Sequence, residues 1–160
     1  MPDKQLWKGR RPTRSVRAGS LIIGGTAPVS VQSMTNTDTS DFKATAEQTK
    51  TLAEAGCDAV RIAVPDMRCV GIFEYIRQAG ITVPLIADIQ FDYRLATESV
   101  RHGADKVRVN PGNLGGLERL FAVAEACAER RVPIRIGVNG GSIQKSLLEK
   151  YGAPTAEALA

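Results

Sequence analysis

The chain has 160 residues, 43% of them hydrophobic and 24% charged, a globular composition that excludes a fibrous or disordered protein. No run approaches the roughly 18 consecutive apolar residues of a membrane span, and the first twenty residues have no apolar signal-peptide core, so no membrane partner and a cytoplasmic location are expected. The formal charge of +4 is unevenly placed, because residues 1–20 gather Lys4, Lys8, Arg10, Arg11, Arg14 and Arg17 against Asp3 alone.

This basic arm, residues 1–20, is the first segment in chain order. It could reach an anionic partner, but apart from Trp7 it has no interleaved aromatics. Nucleic acid is therefore not an expected partner, and the arm reads as a loosely ordered surface segment. LIIGG (21–25) reads as part of an N-terminal hairpin or a lid strand. From residue 29 one unit repeats: a short β-branched apolar run, a turn, a stretch with helical spacing, then Gly or Pro. The runs are VSVQSM (29–34), DAVRIAV (58–64), VPLIADI (83–89), DKVRVN (105–110) and VPIRIGV (132–138). Each is too rich in Val and Ile to be half exposed, and their spacing leaves room for a crossover helix, which predicts parallel strands buried on both faces.

The stretches between them are helical. ATAEQTKTLAEAG (44–56) places Ala46, Thr49, Leu52 and Ala53 on one face, with Ser40 or Asp41 as its cap and Gly56 as its stop. MRCVGIFEYIRQAG (67–80) and RLATESVRHG (94–103) also end on glycine. LERLFAVAEACAERR (117–131) places basic residues at its C-terminal end, where the helix dipole favours them. Cys57, Cys69 and Cys127 fit neither a disulfide framework nor a zinc site and read as small buried hydrophobes.

Alternating strands and helices leave an open doubly wound sheet or a (β/α)₈ TIM barrel. No Rossmann fingerprint follows the first strand, so the barrel is favoured. A whole barrel needs about 250 residues. The expectation is an incomplete α/β TIM barrel with about five parallel strands, residues 21–160 forming the N-terminal part of a substrate-binding domain. Its strand edge and apolar helix faces would call for a partner domain, a second chain or further sequence.

In such barrels the chemistry sits at the C-terminal ends of the strands. Those positions carry Arg61 on the second run, Asp88 and Gln90 on and after the third, Arg108 and Asn110 on the fourth, and Arg135 and Asn139 on and after the fifth. An arginine inside a Val/Ile strand has a severe desolvation problem unless it faces an anion or a carboxylate. Three such arginines converging inward suit a phosphate or diphosphate. The bland alternative pairs them with Asp58, Asp88 or Asp105. The glycines of NPGNLGG (110–116) and VNGGS (138–142) could present amides to phosphate, although tight turns use the same residues. Asp92 could equally be a helix cap. His102, the only histidine, lies at a helix end away from the strand tips, and no metal-ligand cluster stands out.

The strings VQSMTNT (31–37), VRIAVP (60–65), PLIADIQFDYR (84–94), VRVNPGN (107–113) and PIRIGVNGGS (133–142), in that order and followed by LLEKYGAPTAEAL, closely resemble the N-terminal barrel of the 4-hydroxy-3-methylbut-2-enyl diphosphate synthase family. The resemblance covers almost the whole chain. It implies an iron–sulfur oxidoreductase of non-mevalonate isoprenoid (terpenoid) biosynthesis that reductively opens 2-C-methyl-D-erythritol 2,4-cyclodiphosphate and removes a hydroxyl. It also implies that Arg61, Arg108, Asn110, Arg135 and Asn139 match the family's diphosphate-contacting positions.

Family members take electrons from flavodoxin or ferredoxin through a [4Fe–4S] cluster in a C-terminal domain. That implies a homodimer at full length, cluster ligands outside this chain, and little activity for this chain alone. Where the family motif has histidine, this sequence has Gln90, which can donate a hydrogen bond but cannot shuttle a proton. No catalytic residue is assigned. Two other readings stand beside this one: a phosphate-binding barrel synthase of the pterin-binding type, and a truncated chain that binds anions without turnover.

Overall fold

The computed structural model describes residues 12–143 and 145–159, so Lys4, Trp7, Lys8, Arg10 and Arg11 of the basic arm lie outside the described residues. The repeat seen in the sequence becomes five parallel strands: β3 (Gln32–Met34), β4 (Ala59–Ala63), β5 (Leu85–Ile89), β6 (Lys106–Val109) and β7 (Ile134–Ile136), in that spatial order. They are preceded by an antiparallel hairpin of β1 (Val16–Ala18) and β2 (Leu21–Ile23). Helices α1 (Phe42–Glu54), α2 (Ile72–Gln78), α3 (Tyr93–Arg101) and α5 (Leu117–Glu129) make the crossovers. The one-turn α4 (Pro111–Leu114) precedes α5, and α6 (Lys145–Tyr151) and α7 (Ala156–Leu159) follow β7. Among the described residues the sheet is open, with β3 and β7 at its edges.

Strand alternation sorts the residues into two faces. Val60, Ile62 and Val64, Leu85, Ala87 and Ile89, and Val107 and Val109 pack outward against Ile72, Phe73 and Ile76 of α2, Leu95, Ala96 and Val100 of α3, and Val123 and Cys127 of α5. Phe73, Ile72 and Ile76 are wholly buried, each worth roughly 1.5–3 kcal/mol of transfer free energy. The other face carries Arg61, Ile86, Asp88, Lys106, Arg108 and Arg135. The register sets Ala63, Asp88, Arg108 and Arg135 in one row, with Met34, Arg61, Ile86 and Lys106 in the row below.

Helix ends follow local chemistry. Asp41 caps α1 by accepting from the Ala44 amide, and Asp92 caps α3 by accepting from the Arg94 amide. The single helix expected over 67–80 is instead a 3₁₀ turn, Met67–Cys69, followed by α2. Asp66 caps the turn through the Arg68 amide, and α2 starts afresh at Gly71, where an added Cβ would sit 3.3 Å from the Phe42 ring. At the end of α5, Arg130 and Arg131 stand past the last helical turn, and Arg131 adopts a left-handed φ of 57°.

The hairpin is not a lid over the strand tips. Gly19 at its turn has φ +58°, and a Cβ there would lie 2.8 Å from Asp105 Oδ1, so the hairpin presses on the N-terminal end of β6. This draws Val16–Ala18 out of the surface arm into ordered structure, with Ala18 only 1% exposed. At that same end Asp105 accepts from the Arg77 guanidinium and the Leu85 amide, and Asp58 accepts from the Val31 amide. Neither carboxylate serves the strand arginines.

Candidate anion-binding site

Each strand arginine meets its desolvation cost differently. Arg61 Nη2 donates to Asp88 Oδ2 at 2.8 Å, and Arg108 Nη1 donates to Asp88 Oδ1 at 3.2 Å. Asp88 is 1% exposed, so its charge is compensated almost wholly by these two guanidinium groups. The carboxylate pairing that the sequence left as an alternative therefore holds for Arg61 and Arg108, both through Asp88. Arg135 sits beside Arg108 in register, is exposed, and meets no carboxylate among the described residues.

Gln90, exposed just past β5, donates from Nε2 to Asp88 Oδ2 at 3.0 Å. It thus steadies the carboxylate that holds the two arginines. Arg61 Nε is buried without a partner among the described residues, leaving one donor on the site unsatisfied.

Asn110 is 1% exposed and already engaged. Its Oδ1 accepts from the Gly112 amide at 3.2 Å, which caps α4, and its Nδ2 donates to Ser142 Oγ at 2.8 Å. The NPGN segment is therefore a capped helical turn, with the Gly112 amide directed to Asn110. A Cβ on Gly112 would come within 2.2 Å of the Ser142 carbonyl oxygen, so only glycine lets the loops after β6 and β7 meet. Asn139 is exposed, and its side chain makes no capping bond to the 3₁₀ turn Gly140–Ser142 that follows it. Its amide is open at the strand tips.

The structure thus brings Arg61, Asp88, Gln90 and Arg108 into one hydrogen-bonded group, with Arg135 adjoining and Asn110 and Asn139 on the rim. Sequence reasoning missed two participants. Lys106 occupies the row beneath Arg108 on the same face, and nothing local in the sequence sets it apart from other basic residues. Gly137 accepts from Arg108 Nη2 through its carbonyl at 3.1 Å, and a Cβ there would lie 2.4 Å from Arg108 Nε. The pattern R-x-G on the last strand was its only signal. His102 caps the end of α3 with Nδ1 3.2 Å from Glu74 Oε2, on the helix side of the sheet.

Comparison with known proteins gives the family of the chain. Residues 13–160 match the family described as the GcpE TIM-barrel domain. A protein of Idiomarina loihiensis named 4-hydroxy-3-methylbut-2-en-1-yl diphosphate synthase (flavodoxin) is 54% identical over 150 residues, covering 94% of this chain and 40% of that protein. A namesake from Caldanaerobacter subterraneus is 53% identical over 152 residues, covering 95% and 42%. The chain thus spans about two fifths of the length of these relatives.

Among solved structures, dihydropteroate synthase of Thermus thermophilus superposes with a TM-score of 0.60 at 16% identity, covering 86% of this chain and 55% of that one. The Yersinia pestis enzyme gives 0.59 at 18%, covering 85% and 51%. These likenesses concern the fold alone.

Proposed function

The chain belongs to the GcpE TIM-barrel domain family, and from that premise we propose that it is the anion-binding barrel portion of a 4-hydroxy-3-methylbut-2-enyl diphosphate synthase. In this reading Arg61, Arg108 and Arg135 face the diphosphate of 2-C-methyl-D-erythritol 2,4-cyclodiphosphate. The observation that carries it is the inner face itself: two strand guanidiniums share one carboxylate and a third, Arg135, stands beside Arg108 in register, which leaves net positive charge on that face. Guanidinium forks match phosphate oxygens in pairs.

The reaction takes two electrons, opens the ring and removes a hydroxyl. This chain's residues bind and orient the substrate. Asp88 sets the two guanidiniums, Gln90 sets Asp88, Asn110 ties the rim loops together, and Asn139 offers a free amide. Gln90 cannot carry a proton, so any acid–base step at that point needs another group.

Flavodoxin, the donor named for the relatives, or ferredoxin would supply the electrons, and a [4Fe–4S] cluster would relay them. The cysteines here do not fit such a cluster. Cys69 is buried in the 3₁₀ turn before α2, Cys127 is buried on α5, Cys57 lies at the N-terminal end of β4, and no His/Cys/Asp/Glu group of metal-binding size converges among the described residues. In this reading the cluster ligands would lie in the part of the relatives' length that this chain does not span. A homodimer in the cytoplasm, one subunit's cluster domain closing on the other's barrel, completes the reading.

Calorimetric titration of the chain with the cyclic diphosphate tests the proposal, once circular dichroism shows each variant folded. Arg108→Ala and Arg135→Ala should each weaken binding about tenfold or more, as expected for lost charged hydrogen bonds. A folded chain that does not bind, or binding that neither substitution changes, would overturn it.

A further inference from the structure

Asp88 divides the cations of the inner face into two kinds. Arg61 and Arg108 are already paired with it. Lys106 and Arg135 are not: among the described residues neither meets a carboxylate. Lys106 lies two residues before Arg108 on β6 and so points to the same face, one row nearer the N-terminal end. Arg135 is in register with Arg108, which makes Lys106 and Arg135 diagonal neighbours on adjacent strands, within reach of long side chains. Lys106 is half-buried, yet its four-carbon stem can lift the ammonium toward the Arg108 row.

We propose that Lys106 is a phosphate-contacting residue, acting with Arg135 as the pair that first captures the anion, while Arg61 and Arg108 form a pre-set wall held by Asp88. The inference rests on the anion-binding reading above and adds to it a residue that neither the strand-arginine pattern nor the family motifs pointed to. Its physical basis is charge balance. Two half-screened cations held close together repel each other, and an anion between them removes both that repulsion and the desolvation penalty. Burial, and after it the charge of Arg135, hold the Lys106 ammonium below the usual lysine range, in keeping with a cation that has no counter-charge in the free protein. Paired guanidiniums gain less from an incoming anion, because it must compete with Asp88 or share donors with it.

The test uses inorganic pyrophosphate as the probe on the full 160-residue chain, read by calorimetry and by the ligand-induced rise in thermal midpoint. Lys106→Met should weaken pyrophosphate binding about tenfold. Lys106→Arg, which keeps the charge, should retain most of it. Without ligand, Lys106→Met should melt no lower than the native chain, since it removes an uncompensated cation, whereas a merely structural lysine would leave a less stable protein. Lys106→Gln serves the same purpose should the methionine variant not fold.

If Arg135→Gln weakens binding while the Lys106 variants do not, the role of Lys106 is refuted and the arginine site stands. If neither position matters, the inference falls while Arg108→Ala still tests the anion-site reading; if a folded native chain ignores pyrophosphate, both fall together.

Discussion

At the scale of single residues, the site depends on a missing side chain as much as on those present. Arg108 crosses directly over Gly137, which has room for no more than a hydrogen where a Cβ would come within 2.4 Å of Nε. Gly137→Ala should push the guanidinium off both Asp88 and the Gly137 carbonyl, weakening anion binding about tenfold while the fold survives; calorimetry with thermal denaturation separates the two effects. The arginines were legible in the sequence because a guanidinium in a Val/Ile run is anomalous. Asp88 as their common partner was visible only as one of three candidates, since nothing local says which carboxylate a strand twenty or more residues away will present. The commitment of Asn110 to Ser142 was likewise hidden by the long stretch of chain between them. Cys127 supplies a second residue-level prediction. Burial pushes its thiol from 9.0 up to about 11. A group with a raised folded pKa contributes stability that is full below the unfolded value and lost as pH rises through the folded one. Stability should therefore fall between pH 9 and about 11, by on the order of 2 kcal/mol, and urea midpoints for Cys127→Ala should show a smaller drop over that window.

At the scale of elements, caps and stops carried most of the legible signal. Asp41 and Asp92 each sit one residue before a helix and accept one of its free amides; the sequence offered Ser40 or Asp41 for the first and gave the cap as one of two readings of the second. The helix expected over 67–80 failed because Asp66 and Gly71 supply two separate starts in close succession, and an apolar period cannot reveal a 3₁₀ interruption. The end of α5 is the exception among the helix stops. Gly56, Gly80 and Gly103 take positive φ after α1, α2 and α3, but the corresponding place after α5 is held by Arg131 at φ 57°. A Cβ there carries the left-handed penalty that glycine avoids. Arg131→Gly should raise stability by about 0.5–1 kcal/mol, seen as a higher urea midpoint at an unchanged m-value. A lower midpoint would show that the arginine makes a compensating contact.

At the scale of the molecule, the two faces of the sheet have opposite characters, and this explains both what binds and what sticks. The outward face is sealed by α1, α2, α3 and α5, so its apolar runs were strong enough to predict five parallel strands. The inner face is polar and open at its centre, which suits an anion, but its margins are apolar. Val29 and Val31 flank the β3 edge at 70% and 58% exposure, and Ile136 and Val138 flank the β7 edge at 54% and 49%. Leu117 and Phe121, one turn apart on α5, are 71% and 64% exposed. Unpaired strand edges beside exposed apolar side chains are templates for association. The 160-residue chain should therefore self-associate at micromolar concentration in sedimentation velocity, and Leu117→Glu with Phe121→Lys should shift it toward monomer without loss of helix signal. A monomer at all concentrations would mean that these margins are covered by the chain's own residues. Added pyrophosphate should leave the association unchanged, because the anion occupies the polar centre and the contacts lie at the rim.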